Sequence, residues 1–141
     1  MISQEAFIGD GTIVRYPELS HIGRCWIGND CSVHSNVWIG DGVHIGNHCW
    51  VEPFVFIPTG VKIGNNVFLG PRVTFTNDKY PPSKRKDWLP TLVMDDVSIG
   101  AGAVILPGII IGAGARIGAG AVVTKNVPAG ETWVGNPARK V

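Results

Sequence analysis

Asp41, Thr59 and Asn77 recur at intervals of 18 residues. Together they offer a carboxylate, a hydroxyl and an amide, groups that take a proton, accept a hydrogen bond or orient a nucleophile. His34 and Glu52 are a second pair 18 apart. They set an imidazole that changes charge near neutral pH beside a carboxylate able to pair with it. His21, His44 and His48 complete the histidines. Lys84-Arg85-Lys86 is a basic run that either meets an anion or is simply solvated. Asn77 stands apart because it lies at the start of a stretch, roughly 76–92, with three prolines, four basic residues and no apolar alternation. That composition excludes a buried strand and describes a loop, and a long loop inside a compact domain is often functional. Asparagine at a loop start is also an ordinary turn residue.

A spacing of 18 matters only if the chain returns on itself at that interval, and the apolar residues indicate that it does. One residue in six is bulky and apolar at Ile27, Val33, Ile39, Ile45, Val51, Ile57, Ile63, Leu69 and Phe75. The beat resumes at Val93, Ile99, Ile105, Ile111, Ile117 and Val123. Glycine follows many of these residues, and four places after each beat sits a small or β-branched one such as Val43, Cys49, Val55 or Ala103. Period six fits neither a helix face nor a plain strand. It fits short strands joined at corners, three sides to a coil, each burying one beat residue and one small residue: an all-β solenoid. Residues 18 apart then stack about one strand spacing, ~4.8 Å, from each other.

The whole of 1–141 reads as one β-helix domain, with weaker copies of the pattern over 1–26 as a capping end and a tail from Thr132 to Val141 outside the pattern. Cys31 and Cys49 share a slot that Val67 also fills, so they read as core residues, while Cys25 lies outside the regular slots and is open to solvent on this reading. An odd cysteine count without a Cys-x-x-Cys pair argues against a disulfide framework or zinc cluster. The residue before each beat points outward, which gives three columns: Trp26, His44 and Lys62; Ser32, Trp50 and Phe68; Trp38, Phe56 and Thr74. Burying one of these rings is worth roughly 1.5–3 kcal/mol. Contact between subunits is the preferred explanation, with the lining of a ligand groove as its competitor. A net charge of +1 gives no electrostatic case for nucleic acid or an anionic membrane. No stretch approaches the ~20 apolar residues of a membrane span, and the start lacks the basic and apolar regions of a secretory signal, so a cytoplasmic protein is expected.

The repeated Ile-Gly hexapeptide resembles the left-handed β-helix acyltransferases, over about 7–141. The resemblance implies a left-handed parallel β-helix, a homotrimer, and acetyl-CoA as co-substrate with no metal. Val67-Phe68-Leu69-Gly70-Pro71 followed by Phe75-Thr76-Asn77-Asp78-Lys79-Tyr80-Pro81 is similar to the branch that N-acetylates amino sugars linked to a nucleotide diphosphate, for bacterial surface polysaccharide such as lipopolysaccharide. An amine attacking a thioester is already a good nucleophile, so the protein must position it about 3–3.5 Å from the carbonyl and manage a proton. Asn77 is implied at the amine, with Asp41 and His34 as further catalytic candidates. Asp78, Thr59 and Tyr80 are candidates for the sugar, and Lys84 and Arg85 for the diphosphate. Gly102, Ala103, Ala119 and Gly120, where small residues let a pantetheine arm approach, are implied at CoA, with Lys125 and Arg139 at its phosphates. Some relatives carry a carboxylate or histidine in that column, where this chain has Thr59 next to Asn77, and the thiolate leaving group is an alternative proton acceptor. O-acetylation of a sugar or serine hydroxyl is the alternative reaction and needs a true base, which would raise the importance of His34. A zinc carbonic anhydrase on this architecture needs three convergent histidines. A non-enzymatic β-helix would repeat one outward residue type, whereas these columns are mixed.

Overall fold

The computed structural model describes residues 1–141. The chain winds as a left-handed parallel β-helix of triangular section. Most strands are two residues long, because only the outward residue and the beat residue of each side keep ladder geometry before the chain turns a corner. The first face stacks Phe7–Ile8, Trp26–Ile27, His44–Ile45, Val61–Ile63, Thr91–Val93 and Ile110–Ile111. The second stacks Ile13–Val14, Ser32–Val33, Trp50–Val51, Phe68–Leu69, Ser98–Ile99 and Arg116–Ile117, and ends in Thr132–Val134 with Arg139–Lys140 antiparallel to it. The third stacks His21–Ile22, Trp38–Ile39, Phe56–Ile57, Thr74–Phe75, Val104–Ile105 and Val122–Val123. No helix is long and apolar enough to cross a membrane.

The beat residues and small residues fill the interior as one cluster, with Ile27, Ile39, Ile57, Phe75, Ile105 and Val123 fully buried. Cys31 and Cys49 are core residues, their thiols donating to the Gly46 and Gly64 carbonyls at 3.1 Å. Cys25 corrects the expectation of exposure: it is 6% exposed and shares the Val43 and Val61 slot. It lies in phase, 18 residues before Val43 and two before the beat residue Ile27, just as Cys31 precedes Val33; only the strands before it are irregular, with His21 pairing Trp38 at a separation of 17 and Phe7 pairing Trp26 at 19. Burial, and then the nearby Asp41 charge, push the Cys25 thiol up to about 11.

One corner differs from all the others. The chain passes from the third face to the first in three residues at Pro58–Thr59–Gly60, but one coil later the same corner takes 76–90. Ladder partners across it lie 30 residues apart, as Val61 with Thr91, instead of 18, as His44 with Lys62. The expected loop of 76–92 therefore ends two residues early. Thr91 re-enters the small buried slot opposite Val61, 1% exposed, and Leu92 points outward beside Lys62. The Leu89 N–H donates to the Asn77 carbonyl at 2.8 Å and closes the base of the excursion.

Candidate functional site

On the third face the outward residues run His21, Trp38, Phe56, then Thr74, Val104 and Val122. The first three are rings stacked on one another, at 4.9 Å between His21 and Trp38 and 5.0 Å between Trp38 and Phe56. The last three are small. The face therefore steps down between Phe56 and Thr74, level with Asn77. Along the adjoining edge stand Arg24, Asp41, Thr59 and Asn77. The loop folds back over this edge through a 3-10 turn at Arg85–Asp87. Between loop, edge and rings lies a cleft of about 420 Å³, lined by His21, Trp38, Phe56, Pro58, Asp41, Thr59, Asn77, Arg85 and Trp88. It continues beneath Trp88, Leu89 and Pro90 across Thr59 and Gly60. Gly42 and Gly60 turn this edge at φ 76° and 100°, conformations that side chains rarely adopt.

The edge brings together the 18-spaced trio. Asn77 Nδ2 donates to the Thr59 carbonyl at 2.9 Å. A carbonyl can only accept, so this bond fixes which end of the amide is which and leaves Oδ1 as an acceptor for a ligand. Asp41 is otherwise engaged. Its Oδ1 accepts the Arg24 backbone N–H at 2.8 Å, and its Oδ2 accepts the Arg24 guanidinium at 3.2 and 3.3 Å. These bonds, the backbone one first, hold its carboxyl below the usual range. A carboxylate so stabilised is a weak base. Asp78 is similarly tied, to the Ser83 hydroxyl at 2.6 Å and the Ser83 N–H at 2.8 Å, which also lowers its pKa. It staples the loop on itself. Arg85 stands over the Trp88 ring at 5.9 Å and makes no ion pair. Tyr80 is 77% exposed with Lys79 over its ring, and Lys84 is exposed; the structure brings neither to the cleft.

His34 lies on a different edge, between the second and third faces. Its Nδ1 accepts the Ser35 N–H at 2.9 Å, and its ring sits 6.1 Å from that of Tyr16. Register stacks it under Glu52, but its hydrogen bonds go to Ser35. His44 stacks on Trp26 in the first face at 4.3 Å, and His48 turns the next corner at φ 57°, so the two do not converge. The histidine in the cleft is His21. A count of 18 back from Trp38 misses it by one residue, although Ile22-Gly23 was a signal that residue 21 points outward. The aromatic columns also divide: Trp38 and Phe56 line the cleft, while Trp50 and Phe68, 53% and 37% exposed, lie on the second face.

Gly102 and Gly120 fall on the edge between the second and third faces, with open space where a Cβ would stand. Ala119 neighbours them. Ala103 is a correction: it is fully buried, its methyl filling the small core slot. Lys125 lies on the Asn77 edge, two strands further along the axis, since Phe75 pairs with Ile105 and Ile105 with Val123. Arg139 is exposed in the final strand, its guanidinium donating to the Ala138 carbonyl at 2.7 Å.

Comparison with known proteins agrees with this architecture. The family model described as bacterial transferase hexapeptide (six repeats) matches residues 42–77 and 90–125, half the chain, with its gap at the loop. The chain belongs to this hexapeptide transferase family. A 2,3,4,5-tetrahydropyridine-2,6-dicarboxylate N-acetyltransferase of Staphylococcus aureus (strain JH9) is 48% identical over 52 residues, which cover 37% of this chain and 22% of the relative. The chain thus matches about a fifth of the length of the curated relatives. Soybean serine acetyltransferase, solved with serine, is 40% identical with a TM-score of 0.56, over 77% of this chain and 42% of that one. The hexapeptide-repeat acetyltransferase VCA0836 of Vibrio cholerae O1 biovar eltor, solved with acetyl-CoA, is 26% identical with a TM-score of 0.61, over 96% and 69%.

Proposed function

We propose that this hexapeptide transferase moves the acetyl group of acetyl-CoA to the amine of a nucleotide-diphosphate-linked amino deoxysugar. The observation that carries the reading is the Asn77 amide, clamped through Nδ2 to Thr59 with Oδ1 left over at the cleft. That oxygen accepts a hydrogen bond from the amine and aims its lone pair at the thioester carbonyl. The C–N bond forms, the oxyanion collapses, the C–S bond breaks, and the surplus amine proton passes to the departing thiolate. No strong base is required, which matches an edge where the Asp41 carboxylate is paired with Arg24. The acetyl donor occupies the part of the third face beyond Asn77, over Thr74, Val104 and Val122, with Gly102, Ala119 and Gly120 along one edge and Lys125 on the other. Arg85 takes the acceptor's diphosphate. Three copies of the chain assemble through the apolar column of the second face. Similarity to acetyltransferases, one of them solved with acetyl-CoA, supports the donor.

Similarity to a serine acetyltransferase favours O-acetylation as a second reading. A hydroxyl needs a base, and the cleft's imidazole, His21, lies three strands from Asn77. The deciding experiment follows thiol release from acetyl-CoA with UDP- and dTDP-linked amino sugars beside serine and simple sugars. Turnover with an amino sugar, lost in Asn77→Ala while the fold survives, supports the proposal. Turnover only with hydroxyl acceptors overturns it.

A further inference from the structure

The cleft extends well past the amine corner. Asn77 stands level with Thr74, and three strand steps separate Thr74 from His21, about 14 Å along the axis at ~4.8 Å each. Arg85 and the Arg24–Asp41 pair lie along the edge between these ends. The chemistry of the far end is distinct. His21, Trp38 and Phe56 stack on one another along the cleft wall, with only the Trp38 indole covered on both faces. His21 closes this end of the stack, and its imidazole makes no hydrogen bond to another side chain, so its nitrogens are free to donate and accept. Ring faces bind bases with little discrimination. Ring edges that donate and accept hydrogen bonds distinguish them.

We infer that the end of the cleft at His21 is a nucleoside subsite, in which the imidazole reads the hydrogen-bonding edge of the base carried by the acceptor. This deepens the acceptor assignment above and rests on it. The acceptor lies along the third face with its amine at Asn77, its diphosphate at Arg85 and its base at His21. His21 therefore sets which nucleotide is accepted and touches no reacting atom.

The test is calorimetric titration of UDP, dTDP and GDP into the full chain saturated with CoA, which occupies any donor site. One nucleoside diphosphate is expected to bind in preference to the others. His21→Ala should weaken that one about tenfold, the scale of one or two hydrogen bonds. His21→Gln, which keeps an edge donor and acceptor, should change the order of preference among the three, and Arg85→Ala should weaken all of them. Both His21 variants are checked for an unchanged melting transition. In turnover, His21→Ala should lower kcat/KM for the nucleotide-linked sugar and leave that for the amino sugar 1-phosphate untouched. Absence of nucleoside diphosphate binding, or equal binding by wild type and His21→Ala, overturns the subsite. Binding that depends on His21 without acetylation of any amino sugar would overturn the N-acetyl reading and leave the subsite standing.

Discussion

At the scale of residues, the hydrogen bond from Asn77 to the Thr59 carbonyl turns a polar loop residue into an oriented acceptor. Asn77→Ala is expected to cost about a hundredfold in kcat/KM, the scale of losing the positioning of a nucleophile at its reacting carbon. Its melting temperature should stay close to wild type, since the bond lies at a half-exposed edge. Asp41 behaves differently. Its pKa is depressed in the fold, so its bonds to Arg24 persist above the ordinary carboxylate value of 3.8 and are lost only as pH falls below it. Asp41→Asn should therefore leave the shape of the pH–rate profile between pH 5 and 9 unchanged; an acid limb that disappears in this variant would make Asp41 a base after all. The identity of Asn77 as a candidate was legible in the sequence. The state of Asp41 was not, because its partner is Arg24, 17 residues away in the irregular first coil.

The loop over 76–90 is the element on which the site depends. Leu89 ties its base to Asn77, and Asp78 ties its tip through Ser83. Asp78→Ala should free the basic run, read as faster tryptic cleavage at Lys84, Arg85 or Lys86, with the melting transition of the solenoid little changed. The carboxyl is lowered by its Ser83 bonds, so acidification below 3.8 should accelerate cleavage by an acid-active protease at the same loop. Beneath the loop, Gly40 is a close approach: a Cβ there would stand 2.9 Å from the Thr59 nitrogen and 3.0 Å from the Trp38 ring. Gly40→Ala must shift one of them, and activity should fall with a modest loss of stability. The sequence marked the loop's existence through the failed beat. Its end was displaced by two residues because Thr91 and Leu92 lack the isoleucine-glycine signature yet fit the first-face ladder.

Across the whole molecule, stability rests on a single continuous core, so any central beat residue is costly to remove. Ile57→Ala should cost about 2–5 kcal/mol, read from the denaturant midpoint. Trp50 and Phe68 are large rings left open on the second face. If they form the contact between copies, Trp50→Glu should reduce the particle to monomers in sedimentation velocity, whereas Trp38→Leu should leave the assembly intact and weaken only the acceptor. Retention of the wild-type mass by Trp50→Glu would place the interface elsewhere.

A six-residue beat over most of the chain is enough to determine the coil, its three faces, and which residues stack at intervals of 18, because burial in so narrow a core leaves no other register. It also isolates the loop and places Asn77 at its start. Which way a residue faces at the irregular first coil, and what each polar group bonds to once the edges are stacked, come from contacts between residues that no period relates. Those contacts put His21 in the cleft, bound Asp41 to Arg24 and turned Asp78 into a staple. The periodic part of the chain is set by its own spacing, and the site, built where the period breaks, is set by the fold.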